Sequence, residues 1–331
     1  MTGSGTIRAG ILGAGWIGQR HAHALAARAG VDVAAVCDLD AERAGQVAAQ
    51  AGGALVFADW REMLDQAELD ALWICTPPLA HADPAVAALE AGLPLYLEKP
   101  IARSLADAAR IVAAASGGTI CAVGYQWRAV DVLAPLRDAL AGQTVGFLVG
   151  ESAGGTQSRP WFLSQAEGGG NLLERGSHHI DLARVVAGEI VAVQAAQSAV
   201  RLAPRDAGST GDIADAVTLL LHFEDGGLGT IIVAWTSSEL PGRYWLEVTA
   251  ADAALRLDLD PDFRLSGVSR GSPVAATSVH APFQRSVDCF LAAVANGAPV
   301  LCAPDDAART LAVAIAAEDA LRTSRITNVP E

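Results

Sequence analysis

The stretch Ile7-Arg8-Ala9-Gly10-Ile11-Leu12-Gly13-Ala14-Gly15-Trp16-Ile17-Gly18 decides the fold. A mostly apolar run passes straight into three glycines at G-x-G-x-x-G spacing, and a helix-forming stretch opens at Trp16. Strand, glycine turn and helix in that order make the first step of a dinucleotide-binding fold. Gly13 permits the tight turn, Gly15 lets the backbone approach a pyrophosphate, and Gly18 lets the helix lie close to the strand. Trp16 and Ile17 belong to the same turn and are placed with it against the ligand. Asp38 ends the next apolar run, twenty residues past Gly18. A carboxylate there can accept hydrogen bonds from the adenosine ribose hydroxyls. It also repels a 2′-phosphate, which favours NAD over NADP, although Arg43 stands close by.

Apolar runs at Ile7–Leu12, Val31–Cys37, Ala71–Cys75, Leu93–Leu97 and Thr119–Val123 read as buried strands. Between them, Trp16–Ala29, Ala41–Ala51, Ala80–Ala91 and Leu105–Ala115 have helical length and periodicity, the last opened by a Ser104/Asp107 capping box. Alternating β and α with fully apolar strands predicts a doubly wound parallel sheet covered on both faces. After Gly124 the pattern changes. Helical stretches at Val130–Leu140 and Leu172–Val186 surround a strand at Val145–Ser152 and a glycine-rich loop at Gly168–Gly170. Strands then follow at Ile190–Val200, Ala214–Phe223, Leu228–Ser238, Tyr244–Ala250 and Ala254–Leu259, with a loop over 202–211 and a hairpin signal at Asp225-Gly226. Helices at Phe283–Ala295 and Asp305–Arg322 close the chain. The predicted architecture is α/β: a Rossmann domain over 1–124 and an α+β domain with a large, mostly antiparallel sheet over 125–331. Helix 305–322 is a candidate to pack back on the first domain.

The length of 331 residues agrees with two domains. The chain is 51% hydrophobic and only 5% aromatic, so Ala, Val and Leu must fill the cores. A formal charge of −14 repels phosphate backbones and anionic lipid, which argues against nucleic-acid and membrane partners. No apolar run approaches the ~18 residues of a membrane span, and residues 1–8 lack a signal-peptide pattern. The expectation is a soluble cytoplasmic protein. The five cysteines (Cys37, Cys75, Cys121, Cys289 and Cys302) are odd in number and never C-x-x-C spaced, so neither a disulfide framework nor a zinc site is predicted.

Two further loops follow apolar strands: Thr76-Pro77-Pro78 with His81, and Glu98-Lys99-Pro100. Both therefore face the carboxyl edge of the sheet, where α/β folds bind ligands. A lysine at that edge can hydrogen-bond a substrate hydroxyl and stabilise alkoxide character as hydride leaves. Pro100 restricts Lys99 to extended geometry. Glu98 reads as a residue that orients the loop or meets the cofactor. Further on, Glu174, His178 and Asp181 stand at i, i+4 and i+7; on a regular helix they share one face, with the carboxylates bracketing the imidazole. A histidine so held is a competent proton acceptor near neutral pH. His179 falls on another face, and His21 and His23 read as structural or exposed. Arg175 reads as a partner of its neighbour Glu174, and Trp161 lies in a loop after Arg159-Pro160 as a pocket cover or a packed side chain.

Together with Gly124-Tyr125-Gln126-Trp127-Arg128 and the Gly168–Asp181 segment, these motifs resemble the glucose–fructose oxidoreductase / inositol dehydrogenase (Gfo/Idh/MocA-type) family over nearly the whole chain. The resemblance implies a nicotinamide-dependent enzyme acting on sugars, polyols or related alcohols, with Gln126 and Arg128 where the family meets cofactor or substrate. It also implies an oligomer formed through the C-terminal sheet. The family's D-x-x-x-H is here Glu174-x-x-x-His178, so inositol-type specificity is not carried over.

The expected catalytic residues are Lys99, His178 and Glu174, with Lys99, His178, Asp181 and Trp161 toward substrate and no metal. The alternatives are an NAD-using lyase or glycosidase without net redox, a metal-assisted hydrolase using Glu174, His178 and Asp181, and a non-catalytic cofactor-binding regulator. Apolar residues on both faces of the Leu228–Ser238 strand point to a homo-dimer or homo-tetramer.

Overall fold

The computed structural model describes residues 6–155, 160–198, 200, 213–237 and 239–330. The expected loop at 202–211 and Arg159 lie outside the described residues, as do Ala199 and Ser238.

Six parallel strands build the first sheet: β1 (Ile7–Leu12), β2 (Val31–Cys37), β3 (Leu55–Phe57), β4 (Ala71–Ile74), β5 (Leu95–Leu97) and β6 (Cys121–Val123), in the order β3-β2-β1-β4-β5-β6. The chain order reverses on either side of β1, so β1 and β4 frame the switch point at which such sheets bind ligands. All four residues of β4 are buried, as a strand covered on both faces requires. The sequence pattern missed β3 and the helix Trp60–Gln66. β3 is a three-residue edge strand whose Leu55 and Val56 remain exposed, so it carries little of the buried-strand signature. The capping box forms as expected: Ser104 Oγ accepts the Asp107 amide at 3.1 Å and donates to its carboxylate at 2.8 Å.

Small residues explain the low aromatic content. Ala9, Ala14, Ala22, Ala44 and Ala48 are buried in one cluster, which lets helices lie close to the sheet. Larger rings fill the same core: Phe290 meets Trp73 and Tyr96 edge to face, with ring centroids 5.1 Å and 5.6 Å apart, and Trp73 stacks on Tyr96 at 6.2 Å.

The chain divides into two compact units, one of Met1–Tyr125 with Phe283–Ala308, the other of Gln126–Pro282 with Arg309–Glu331. The later segment that joins the Rossmann unit is therefore the helix Pro282–Asn296, through Phe283, Val287 and Phe290 on one face. The last helix, Pro304–Thr323, begins in the first unit, which takes it to Ala308, and continues in the second from Arg309.

The second unit holds nine strands: β7 (Val145–Gly155), β8 (Ile190–Gln197), β9 (Ala216–Phe223), β10 (Leu228–Thr236), β11 (Arg243–Ala250), β12 (Ala253–Asp260), β13 (Arg264–Ser269), β14 (Ser272–Thr277) and β15 (Thr327–Asn328). Their order is β14-β13-β12-β11-β7-β10-β9-β8-β15, and among the described residues β7 with β10 is the one parallel pair of this sheet. Gly226, at φ +88°, closes the expected β9–β10 hairpin. The β13–β14 hairpin lacks an apolar-run signature because its strands are six residues each and are interrupted by Ser266, Gly267, Ser269 and Pro273. Its turn is set by Arg270 (φ 49°) and Gly271 (φ 74°), both in the left-handed region that two-residue hairpin turns require.

Candidate active site

In the first unit the glycine turn has the geometry its spacing predicts. Gly13 has φ +98°, and a Cβ there would lie 2.7 Å from the Cys75 carbonyl carbon. A Cβ on Gly18 would lie 1.8 Å from the Gly13 oxygen, so the helix Trp16–Ala26 packs directly on the turn. Gly15 differs: nothing lies within 4 Å of its Cβ position. The helix also starts without a side-chain cap and without an acidic residue in its first turn. Open space above Gly15 and an uncapped helix N-terminus fit a dinucleotide diphosphate. Trp16 is 53% exposed and Ile17 half-buried at this opening.

Asp38 is drawn against the turn. Its Oδ2 accepts the Ala14 amide at 2.7 Å, and its Oδ1 accepts the Asp40 amide at 2.9 Å and Arg43 Nη2 at 2.6 Å. Burial pushes this carboxyl up, but the hydrogen bonds from Arg43, Asp40 and Ala14 outweigh it and hold Asp38 below the usual carboxylate range. An ionised acceptor therefore stands beside the glycine turn, with a guanidinium attached to it.

Thr76 and Pro77 are half-buried after β4, and Pro78 is buried at the start of a 3₁₀ turn. His81 follows in the interior. It is fully buried, its Nε2 lies 2.8 Å from the Thr76 carbonyl, and its Nδ1 lies 3.1 Å from the Pro100 carbonyl. The imidazole joins two loops, and burial pulls it below the ordinary histidine range against the pull of those carbonyls.

Glu98 is likewise buried, with Oε1 2.8 Å from His21 Nε2 and Oε2 accepting the Lys99 amide at 3.2 Å. Burial raises Glu98, and the His21 hydrogen bond with the Lys99 charge brings it down below its ordinary value. Glu98 thus orients the loop, and His21 is the buried residue that fixes it. Lys99 is half-buried, and the Lys99–Pro100 peptide is cis.

In the second unit the helix bearing His178 is not regular. A wide π-type turn over Leu172–Gly176 precedes the α-helix Ser177–Ala187. It accommodates one extra residue and takes Glu174 out of the 3.6-residue register that places i, i+4 and i+7 in line. Asp181 does not bracket the imidazole. It is buried, its carboxylate accepts Arg128 Nε at 2.9 Å and Nη2 at 2.6 Å, and Thr310 Oγ1 donates to it at 3.0 Å. Arg128, expected at the cofactor or substrate, is thereby one half of a bidentate buried pair. Among the described residues no group of three His, Cys, Asp or Glu is placed to hold a metal ion, so the Glu174/His178/Asp181 ligand set does not assemble.

The His178 ring lies 4.9 Å from the Trp127 ring, and Trp127 also meets His179 edge-on at 4.9 Å. Trp127 was not singled out from the sequence, although it stands between Gln126 and Arg128. His179 is fully buried beside the Trp245 carbonyl at 3.3 Å, and burial pushes it down to about 4, so this ring stays neutral. Arg175 interacts electrostatically with Glu174 and also donates to Tyr244 Oη at 2.9 Å and the Gly155 carbonyl at 3.2 Å, over the Trp235 ring at 4.0 Å. Trp161 packs against Phe162, Leu163, Ile213 and Trp235. Gln126 is half-buried in a 3₁₀ turn.

A parallel sheet with this turn, an acidic end to β2 and a lysine beyond β5 defines a dinucleotide-binding protein of the Rossmann class. The model of the GFO/IDH/MocA oxidoreductase family, NAD-binding Rossmann fold, matches residues 7–125, and the GFO/IDH/MocA C-terminal domain matches residues 144–256. The chain belongs to that oxidoreductase family. Rhizopine catabolism protein MocA of Rhizobium meliloti is 29% identical over 95% of each chain. Inositol 2-dehydrogenase 1 of Saccharopolyspora erythraea is 37% identical over 43% of each chain. A levoglucosan dehydrogenase solved with NADH and L-sorbose shares the fold at a TM-score of 0.86 and 20% identity, over 99% of this chain and 100% of that one.

Proposed function

We propose that this protein is an NAD-dependent dehydrogenase moving hydride between nicotinamide and a secondary alcohol of a sugar, polyol or related small molecule. One observation carries the reading: the Gly13–Gly18 turn, Asp38 and Lys99 stand at or just beyond the carboxyl ends of β1, β2 and β5 of a single parallel sheet. That edge is where such sheets bind ligands. NAD rather than NADP is proposed because an ionised Asp38 opposes a 2′-phosphate.

Nicotinamide, when bound, supplies the hydride acceptor, or the donor in the reverse direction. The chain does the rest. The glycine turn holds the diphosphate, Asp38 takes the ribose hydroxyls, and Thr76, Pro77 and Gln126 line the cofactor. Lys99 Nζ or the His178 imidazole receives the hydroxyl proton while the carbinol C–H bond breaks, leaving a carbonyl. The test is a panel of polyols, sugars and sugar acids with NAD, followed by NADH absorbance. Product formed without net NADH would replace this reading with lyase or glycosidase chemistry.

A second copy of the chain is proposed to cover the outer face of the nine-stranded sheet. Phe147 and Leu228 pair across β7 and β10 at 51% and 45% exposure, with Ile232 at 40% on the same face. The alternate residues Ile231 and Val233 are buried. Light scattering on Phe147→Lys should read a smaller assembly than wild type.

A further inference from the structure

The Lys99 turn follows directly on the end of β5. The last ladder bond is the Glu98 amide to the Ile74 carbonyl at 3.0 Å. Pro100 has no N–H and cannot continue the ladder. The backbone around Lys99 is held instead by side chains from two distant elements. On the amino side, Glu98 accepts the Lys99 amide and is itself fixed by His21. On the carboxyl side stands His81. Its Nδ1 lies 3.1 Å from the Pro100 carbonyl and 3.3 Å from the Ile101 carbonyl, and its Nε2 lies 2.8 Å from the Thr76 carbonyl.

We propose that His81 is a positioning residue for Lys99: its imidazole clamps the Pro100–Ile101 carbonyls to the Thr76 loop and so sets the direction in which the lysine side chain leaves the sheet. The proposal rests on the reading of Lys99 as a catalytic residue. Three facts support it. His81 is fully buried, so its ring acts through neighbouring groups and not by direct contact with a ligand in solvent. All of its hydrogen-bond acceptors are main-chain carbonyls on the two loops that follow β4 and β5. Those acceptors are 19, 20 and 5 residues away in sequence, so the ring is a tertiary crosslink between loops. A neutral imidazole has one N–H and a protonated one has two. The neutral ring therefore donates through one nitrogen, and in the clamp that proton stands on Nδ1, toward the Pro100 and Ile101 carbonyls; only a protonated ring would also donate from Nε2 to the Thr76 carbonyl. Asparagine and glutamine separate these roles, since the Asn amide nitrogen falls near the Nδ1 position and the Gln amide nitrogen near Nε2.

The test uses the full chain with His81→Ala, His81→Asn and His81→Gln, each also made on Lys99→Ala. It reads melting temperature, NAD affinity by fluorescence, and kcat and KM with the substrate found by the panel. Small displacements of a reacting group cost up to about 10²-fold. The expected result is a kcat lowered about 10- to 100-fold in His81→Ala, with KM and NAD affinity within about threefold. His81→Asn should recover most of that loss and His81→Gln little. On Lys99→Ala, none of the three should lower the residual turnover further. Wild-type kcat in His81→Ala, equal kcat in the Asn and Gln variants, or a full additive loss on Lys99→Ala overturns the proposal. Where His81→Ala fails to fold, the Asn and Gln pair decides alone. Wild-type turnover in Lys99→Ala itself defeats the catalytic reading as well, whereas a dead Lys99→Ala with unaffected His81 variants defeats only the clamp.

Discussion

Arg43 Nη2 sits 2.6 Å from Asp38 Oδ1, while the other oxygen of the same carboxylate accepts the Ala14 amide at 2.7 Å. The group proposed to choose the cofactor is thus tied both to the glycine turn and to a cation that could serve a different cofactor. Removing the carboxylate frees Arg43 and removes the charge that opposes a 2′-phosphate. In Asp38→Ala the KM for NAD should rise about 10- to 100-fold, from the loss of roughly 1.5–3 kcal/mol of charged hydrogen bonding, and the KM for NADP should fall. Steady-state assays with both cofactors check this. An unchanged NAD KM would dissociate Asp38 from cofactor recognition.

Lys99→Ala should lower kcat by about 10²–10⁴-fold, the usual contribution of a positioned acid–base group. Lys99 is half-buried on a loop, so the melting temperature should change little. His178→Ala should fall in the same range. Turnover within a few-fold of wild type in both would remove the proposed proton transfer.

Gly18→Ala is a backbone test. The added Cβ meets the Gly13 oxygen at 1.8 Å, closer than any relaxation of a flexible side chain can relieve. The helix must lift from the turn, so NAD affinity measured by calorimetry should fall by at least about tenfold, with a lowered melting temperature. Wild-type affinity and stability would contradict the close packing of helix on strand.

Breaking the buried Arg128–Asp181 pair leaves an uncompensated charge, and Arg128→Met should cost about 3–5 kcal/mol of unfolding free energy in urea titrations. Removing both charges together, Arg128→Met with Asp181→Leu, should cost much less, because the orphaned carboxylate is then gone. A double variant no better than the single one would mean the pair contributes through Thr310 and its neighbours instead.

His179 supplies a pH dependence with a defined sign. Its folded value of about 4 lies below the ordinary histidine value of 6.5, so the unfolded chain binds a proton that the folded chain refuses. Stability is full above pH 6.5, declines as pH falls towards 4, and levels off below that, for a total of about 3 kcal/mol. His179→Gln should flatten this part of the stability–pH curve. A curve of unchanged slope would locate the acid lability elsewhere.

The two halves of this molecule differ in how much the chain alone discloses. The Gly13–Gly18 turn, the acidic end of β2 and the β1, β2 and β4 runs are legible because each follows from residues near in sequence: three glycines that a Cβ would obstruct or that leave a ligand room, and strands too apolar to face water. Lys99 is legible for the same reason, as a charge at the end of an apolar strand. The Asp225-Gly226 hairpin and the Ser104 cap are local too. The roles of His81, Asp181, Arg128 and Arg175 are not, because each is decided by a partner that spacing does not reveal. Arg128 and Asp181 are 53 residues apart and meet only because the second unit brings their two helical turns together. A single widened turn at Leu172–Gly176 undoes the i, i+4, i+7 reading of Glu174, His178 and Asp181, and no composition signal marks it. The same holds for the helix Pro282–Asn296, whose Phe283, Val287 and Phe290 fill a core built from the other end of the chain. The glycine turn and the apolar runs of β1, β2 and β4 are local features that the sequence determined by itself. Which polar side chain satisfies which buried group is a long-range choice, made by the tertiary structure because an unpaired buried charge costs more than the contacts that bring its partner to it.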